Sequence, residues 1–465
     1  MWSLDDTIAA IATPPGEGGI GIVKVSGPAA LRLLQRLWAS GHPAPEATPP
    51  PAAAEPWPPR QMRYGAIRHP INGRLVDEVL AVWMPAPHTY TCQDVVEVQC
   101  HGGLMATRAV LALLLQAGAR LAEPGEMTLR AFLGGRIDLA QAEAVLGVVQ
   151  ANTELGLQVA AGQLAGSLSS EIRRLRAPLL NVLAHLEGSI DFPEDEIPAC
   201  NVPAQLAEVQ VGLQGLLTEA ETGVIYRQGI RTAIVGRPNV GKSSLLNALL
   251  RVERAIVTAI PGTTRDTLEE TLNVRGVPLV LVDTAGLQAE SPDPIEQLGM
   301  ARSRAALAEA DLVLWVVDGS QPLGAGDFAL HPLLQGKPCL VVVNKSDLPP
   351  RTDGASLLPQ APHLAVSAVR GTGLEALQEA ILQQVLGGAV QQAPPPRVSQ
   401  VRHQTLLRLA LTHLEAAMEA QSSGLPTDCV TIDVNGALQA LGQISGETVS
   451  EDLLQTIFSQ FCLGK

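Results

Sequence analysis

Four short stretches carry residue types that, at their spacing, can hold a nucleoside triphosphate. The first is Gly236-Arg-Pro-Asn239-Val240-Gly241-Lys242-Ser243-Ser244, which follows the apolar run 230–235 and precedes a helical pattern at 244–250. Its glycines let backbone N–H groups turn inward around phosphates, and the start of a helix adds a favourable dipole. Lys242 is placed to reach the β- and γ-phosphates, and the Ser243 hydroxyl suits Mg²⁺. The second stretch, Asp283-Thr284-Ala285-Gly286, ends the apolar run 277–282. There Asp283 supports the magnesium shell and the Gly286 N–H meets the γ-phosphate. The third, Asn344-Lys345-Ser346-Asp347, ends the apolar run 339–343. A carboxylate at Asp347 accepts two hydrogen bonds from guanine that adenine cannot donate, and a site with buried polar groups rejects a partner that leaves them unpaired. The fourth, Ser367-Ala368-Val369, places a backbone amide where it faces the guanine carbonyl. Four motifs in this order imply GTP rather than ATP.

One position departs from the Ras pattern. Leu287 follows Gly286 where Ras-like enzymes carry the glutamine that orients the attacking water. Gln288 is one residue out of register, and a one-residue shift re-aims the side chain. Hydrolysis therefore needs help from another side chain, a cation or a partner. Asn239 has two readings: its amide oxygen ligates a monovalent cation that supplies positive charge near the phosphates, or it caps the loop by a local hydrogen bond.

The elements that must position these residues are legible in outline. Between about 223 and 388, apolar strands alternate with helical stretches, the rhythm of a parallel α/β sheet. From about 129 to 220, Ala, Leu and Gln recur at helical spacing. Further helix follows the proline-rich joint at 393–397. Helix on both sides of an α/β unit suggests that the α/β unit is inserted into a helical domain. Short alternating stretches at 19–25, 76–83 and 94–99, with a helical pattern at 104–116, read as an α+β first domain. The proline-rich 42–59 reads as a surface loop. The expected domains are thus 1–122, 123–220, 221–388 and 389–465, with the last continuing the helical domain begun at 123.

The 465 residues are 46% hydrophobic, which excludes a wholly disordered chain. No apolar run approaches the ~20 residues of a membrane-spanning helix. Cysteines at 92, 100, 200, 339, 429 and 462 form no close pair, which suits a reducing cytoplasm. The first residues carry acids where a secretion signal would be positive. A net charge of −14 argues against bulk attraction to nucleic acid. An RNA partner then needs a local basic face or a basic helper subunit.

Beyond the nucleotide motifs, the chain carries Ala12-Thr-Pro-Pro-Gly16, Glu97-Val-Gln-Cys100-His101-Gly-Gly103, Glu123-Pro-Gly-Glu126-Met-Thr128, Arg136-Ile-Asp138, Asp191-Phe-Pro-Glu-Asp-Glu196 and a terminal Phe461-Cys462-Leu463-Gly464-Lys465. Together they resemble the MnmE (TrmE) family of tRNA uridine-modification GTPases nearly end to end. The resemblance implies a tetrahydrofolate-binding N-terminal domain, a helical middle domain and an inserted Ras-like P-loop domain. It also implies a homodimer that works with the flavoprotein MnmG, which holds FAD, to install an aminomethyl-type or carboxymethylaminomethyl group on carbon 5 of the wobble uridine of tRNA. The one-carbon unit would come from a folate, and hydrolysis would be activated by K⁺ and by G-domain dimerisation.

By position, the resemblance implies potassium ligands at Asn239 and in Thr258-Ala259-Ile260-Pro261-Gly262-Thr263, magnesium ligands at Ser243 and Thr264, and a water-positioning acid at Glu296. The Ser291-Pro-Asp-Pro294 spacer is unusual before that acid. It further implies folate contacts at Lys24, Glu97, Arg136 and Lys465. A carboxylate there would pair with the pterin N–H groups and the cations with the glutamate tail. With Lys242 and Gly286, Glu296 and Cys462 complete the catalytic candidates. Cys462 has two readings, a reactive thiol beside a cation or an inert terminal cysteine. His101 reads as a turn histidine and the acidic run 191–196 as a solvated loop. Two other functions fit parts of the chain: a ribosome-assembly GTPase, and a GTP-regulated one-carbon transferase. The first is disfavoured because 1–220 and 390–465 are neither basic nor rich in aromatics.

Overall fold

The computed structural model describes residues 4–40, 56–192, 198, 200–252, 270–282, 307–387 and 395–465. These form two compact units, one of residues 4–146 with 442–465, the other of the described part of 147–441.

The first unit holds seven strands: β1 (Ile8–Ile11), β2 (Gly18–Ser26), β3 (Trp38–Ser40), β4 (Arg63–Arg68), β5 (Leu75–Met84), β6 (Val95–Gly102) and β7 (Arg120–Leu121). They lie in the order β3-β4-β5-β6-β2-β1-β7. Successive side chains of a strand face opposite sides. Val23, Val25, Val96 and Val98 therefore share a core with apolar residues of α1 (Ala30–Leu37) and α2 (Leu104–Gln116). Lys24 and Glu97, paired directly across β2 and β6, take the other face. Of the proline-rich segment read as a surface loop, residues 56–59 take no helix or strand, yet one of them is buried. Residues 41–55 lie outside the described ones, but Trp57 is buried edge-on against Trp38 at 4.8 Å, with the Arg63 guanidinium 4.8 Å from its ring centre. An indole carries too much apolar area to stay in water, and a cation over its face adds attraction.

The tail joins the helices expected from the first part of the helical segment: residues 442–465 fall with the first unit, where they meet the helices of 126–150. Leu454, Ile457, Phe458 and Phe461 of α14 (Glu451–Phe458) and its continuation pack on Leu129, Leu139 and Leu146 of α3 (Glu126–Leu133) and α4 (Leu139–Gln150). Gly464, at φ 86°, lies so close to β1 that a Cβ there would come within 2.4 Å of the Ile11 carbonyl.

Charge is buried at the start of α3. Arg130 and Glu126 are almost wholly enclosed. The Glu126 carboxylate accepts from Arg120 at 2.5 Å, Arg130 at 2.9 Å and the Glu123 N–H at 2.8 Å, while Arg130 also pairs with Asp6. Burial pushes the Glu126 carboxyl up, but these donors outweigh it and hold it below its usual range.

In the second unit the helices read as seams. Buried Leu206, Val209, Leu213, Leu216, Ala220 and Gly223 alternate three- and four-residue steps along α7 (Val202–Gln228), and His403, Leu407, Ala410, Leu414 and Ala417 do so along α12 (Val401–Ser422). That spacing keeps one stripe against a neighbour, and α7 packs on both α6 (Ser167–Asp191) and α12. The two helices that flank the α/β segment in sequence thus meet each other, as an insertion requires. The segment begins later than expected from the sequence: α7 continues through 221–228, and only Gly229 separates it from β8 (Ile230–Val235). Gly223 is needed inside the helix because the Val398 carbonyl crosses there, 1.9 Å from where a Cβ would sit. Arg397, in the second proline-rich joint, is bound by Glu219 and Glu171.

The six-stranded sheet adds β9 (Glu270–Val274), β10 (Val277–Val282), β11 (Leu312–Asp318), β12 (Cys339–Asn344) and β13 (His363–Val366) in the order β13-β12-β11-β8-β10-β9. Only β9 is antiparallel to its neighbour. The central strands are buried on both faces, one side packing on α8 (Lys242–Val252) and α11 (Leu374–Leu386), the other around Leu330 and Leu334.

Because Glu126 titrates below its unfolded value of about 4.3, its contribution is intact above that pH and is lost as pH falls through the lower folded value. Glu126→Gln is expected to lower the first melting transition at pH 7, on the order of 3 kcal/mol for a broken buried pair. It should also flatten the acid dependence of that transition below about pH 4.5. Circular-dichroism melts between pH 2.5 and 7 check this; equal acid sensitivity in both chains would contradict it.

Candidate functional site

The phosphate loop leaves the carboxyl end of β8, which lies between β10 and β11, and turns directly into α8. Such crevices at strand ends are where open α/β sheets bind ligands. The loop is bent at Gly236 (φ 151°), Asn239 (φ 64°) and Gly241 (φ 96°). Two of these bends admit only glycine: a Cβ would lie 2.2 Å from the Val316 carbonyl at 236 and 2.2 Å from the Asn344 amide at 241. The Lys242 ammonium donates to the carbonyls of Gly236 (2.8 Å) and Arg237 (2.9 Å), across the loop. Burial holds it below its ordinary value. Asn239, Ser243 and Ser244 are exposed, with Asn239 and Ser243 offering oxygen donors of the kind hard cations take.

The third and fourth motifs meet this loop. The Asn344 side chain donates to the Val240 carbonyl (2.9 Å) and accepts from the Ala368 N–H (3.1 Å), so one amide joins three motifs. Lys345, at φ 65°, donates to the Asn239 carbonyl (3.0 Å) and to Asp318 (2.6 Å). The Ser346 N–H donates to the Val366 carbonyl, which joins the motif to β13. The Ser367 hydroxyl donates to Asp347 at 2.6 Å and is the first cause holding that carboxyl below its usual range. Val369 is exposed. The second motif, Asp283 to Gly286, the segment Thr258 to Thr264, and Glu296 lie outside the described residues, so their expected roles stand on sequence alone.

Two acids here were not singled out from sequence. Asp318 ends β11; burial raises its carboxyl, yet Lys345 and Ser320 outweigh this and leave it low. Its signal was the apolar run 312–317 ending in an acid beside the first and third motifs. Asp327, fully buried on the short helix α9 (Ala325–Phe328), accepts from the Arg237 Nε at 2.7 Å. No local pattern marked it.

Of the candidates in the first unit, two pair directly and a third lies within the electrostatic reach of one of them. Lys24 pairs with Glu97 at 3.6 Å. Burial and the like charge of Lys24 keep the Lys465 ammonium below its ordinary value, against the opposing effect of Cys462. Arg136 is engaged elsewhere, donating to the Thr89 carbonyl (2.6 Å) and lying 5.3 Å over the Tyr90 ring. Cys462 is exposed and its carbonyl accepts from the Lys465 and Gly125 N–H groups. His101 is no turn residue: it lies in β6, with its Nδ1 2.6 Å from an Asp77 carboxylate oxygen and its N–H bonded to the other oxygen. The Asp77 hydrogen bond raises its pKa. Of the acidic run, Asp191 ends α6 and 193–196 lie outside the described residues.

A strand–loop–helix phosphate cradle joined to a guanine-reading motif defines a P-loop GTPase. Two family models match: the TrmE N-terminus of GTP-binding proteins over residues 7–136 and the MnmE helical domain over 139–462. Relatives called tRNA modification GTPase MnmE are similar along their whole length. That of Heliobacterium modesticaldum is 48% identical over 99% of both chains, and that of Chloroflexus aurantiacus 48% over 99% of this chain and all of its own. That of Roseiflexus castenholzii is 47% identical over 99% of both. The chain belongs to the MnmE (TrmE) family of tRNA modification GTPases. No helix among the described residues is long and apolar enough to cross a membrane.

Gly241→Ala is expected to abolish nucleotide retention, since the added methyl meets the Asn344 amide at a backbone angle that L-residues avoid. Equilibrium titration with a fluorescent GTP analogue measures this; wild-type affinity in the mutant would refute the assigned cradle.

Proposed function

We propose that this chain is the GTP-hydrolysing component of a complex that modifies carbon 5 of the wobble uridine of tRNA, using a one-carbon tetrahydrofolate. The observation that carries it is the Asn344 amide, which ties the phosphate loop to the guanine-reading segment and so makes one site of motifs about a hundred residues apart. Full-length similarity to MnmE relatives favours this over a ribosome-assembly GTPase, because the match includes the flanking segments.

In this reading Asp347 reads the guanine edge, with Ser367 holding one carboxylate oxygen in place. Ala368 presents its N–H to the base carbonyl when Asn344 shares it. Lys242 exchanges two carbonyl partners for the β- and γ-phosphates, and its half-buried ammonium gains from that exchange. The Ser243 and Thr264 hydroxyls would hold Mg²⁺. Asn239, with the Thr258, Ile260 and Thr263 oxygens, would hold K⁺, which supplies positive charge at the transferring phosphoryl group. Leu287 cannot orient water, so Glu296 is assigned that work. Homodimerisation would bring G domains together, and MnmG would supply the flavin.

The Lys24–Glu97–Lys465 cluster supports the folate reading: a carboxylate facing pterin donors beside two cations facing an anionic tail. Arg136 would join it only by leaving Thr89 and Tyr90. The site motifs favour GTP as switch rather than folate chemistry alone, and a cytoplasmic location fits a tRNA substrate.

Cells lacking the protein are expected to lose the wobble-uridine modification by mass spectrometry of tRNA, with rescue by the wild-type chain and not by Lys242→Ala. Full modification in the Lys242→Ala strain would uncouple hydrolysis from the reaction. GTP hydrolysis by the purified chain should rise at least about tenfold when K⁺ replaces Na⁺ at equal ionic strength, as expected for a charge supplied at the transferring phosphoryl group. Equal rates in both salts would remove the potassium assignment.

A further inference from the structure

The phosphate loop contains an arginine that the roles above leave unused. Arg237 follows Gly236, and its carbonyl is one of the two that accept Lys242. Its partly exposed side chain lies along α9 and the residue before it. Nε donates to Asp327 at 2.7 Å, and a Cβ on Gly324 or Gly326 would lie 3.2 or 3.1 Å from the arginine side chain. Asp327 is fully buried, and its other oxygen accepts the Gly324 N–H at 2.9 Å. At the other end of the same segment, Asp318 holds Lys345, whose ammonium also binds the Asn239 carbonyl. The stretch 318–327 thus grips the phosphate loop twice, through Lys345 at residue 239 and through Arg237 itself.

We propose that Asp327 is a positioning residue for GTP binding: by holding the Arg237 side chain against α9 it keeps the loop backbone from 236 to 242 in the shape the phosphates require. The physical grounds are three. A long arginine carries large rotamer freedom, and beside a polyphosphate site an untethered one is free to fold across the cradle. Ordering a loop at the moment of binding reduces affinity, so a loop ordered beforehand binds more tightly. A fully buried carboxylate is stable only while its cation stays, so the pair resists opening from both sides. Sequence spacing could not show this, because the partners lie 90 positions apart.

The test is a double-mutant cycle in the full-length chain, with Asp327→Asn, Arg237→Gln and the double variant. It reads fluorescent GTP-analogue affinity and steady-state hydrolysis in Mg²⁺ and K⁺. Asp327→Asn should weaken affinity and raise KM by about tenfold, with a much smaller change in kcat, the signature of lost binding geometry. Arg237→Gln should match it, and the double variant should be no weaker than either, because both changes break one coupling. Asp327→Glu, which retains the charge, should recover part of the affinity and also serves if the asparagine variant does not fold. Wild-type KM in Asp327→Asn, strictly additive losses, or a lowered melting point with unchanged affinity would each overturn the proposal. So would equal KM in the Glu and Asn variants.

Discussion

A polyphosphate is held chiefly by backbone N–H groups turned to one side, and a chain turns them that way only through left-handed or otherwise rarely populated backbone angles. In this protein Gly236, Asn239 and Gly241 adopt them. Local sequence permits the bends but does not hold them. The Val316 carbonyl closes on Gly236, the Asn344 amide on Gly241, and Lys345 on the Asn239 carbonyl. Much else in the α/β unit follows from this: β11 and β12 must lie where they can press on the loop, and their last residues, Asp318 and Asn344, are polar because they end at it.

Charge is handled by a related logic in both units. Lys345 is neutralised by Asp318, Arg237 by Asp327, and the enclosed Arg130 by Glu126 and Asp6. Pairing and donors from the backbone make burial tolerable, since an isolated ion away from water would cost far more than its partner returns. Lys242 differs. It is half-buried, its ammonium rests on two carbonyls and, among the described residues, on no carboxylate, and burial lowers its pKa. In the first unit Lys24 is neutralised by Glu97, while burial and the like charge of Lys24 lower the pKa of Lys465.

What could be read from the sequence was contiguous. The helix at 104–116 and the strands at 230–235 and 277–282 fall where periodicity and turn residues placed them. Expectations failed where distant packing overrode local pattern. Trp57 closes on Trp38 despite its proline-rich surroundings, α7 runs past 220 because α12 and the 395–400 segment cover it, and His101 lies in a strand paired with β2, with its backbone N–H and ring Nδ1 both on Asp77.

By itself, the sequence determined which chemistry the chain is built for. The phosphate loop, the guanine-reading motif and the leucine in place of the Ras glutamine are each a few adjacent residues, and their meaning lies in side-chain type and spacing. Only the tertiary structure decided which remote groups meet: Asp318 and Asp327 at the phosphate loop, Asp77 at His101, and Lys465 within the electrostatic reach of Lys24 after more than four hundred intervening residues. The reason is physical. A backbone bend or an apolar period is written within a few residues, whereas an ion pair depends only on where two chain segments come to rest, and burial of apolar faces elsewhere determines that.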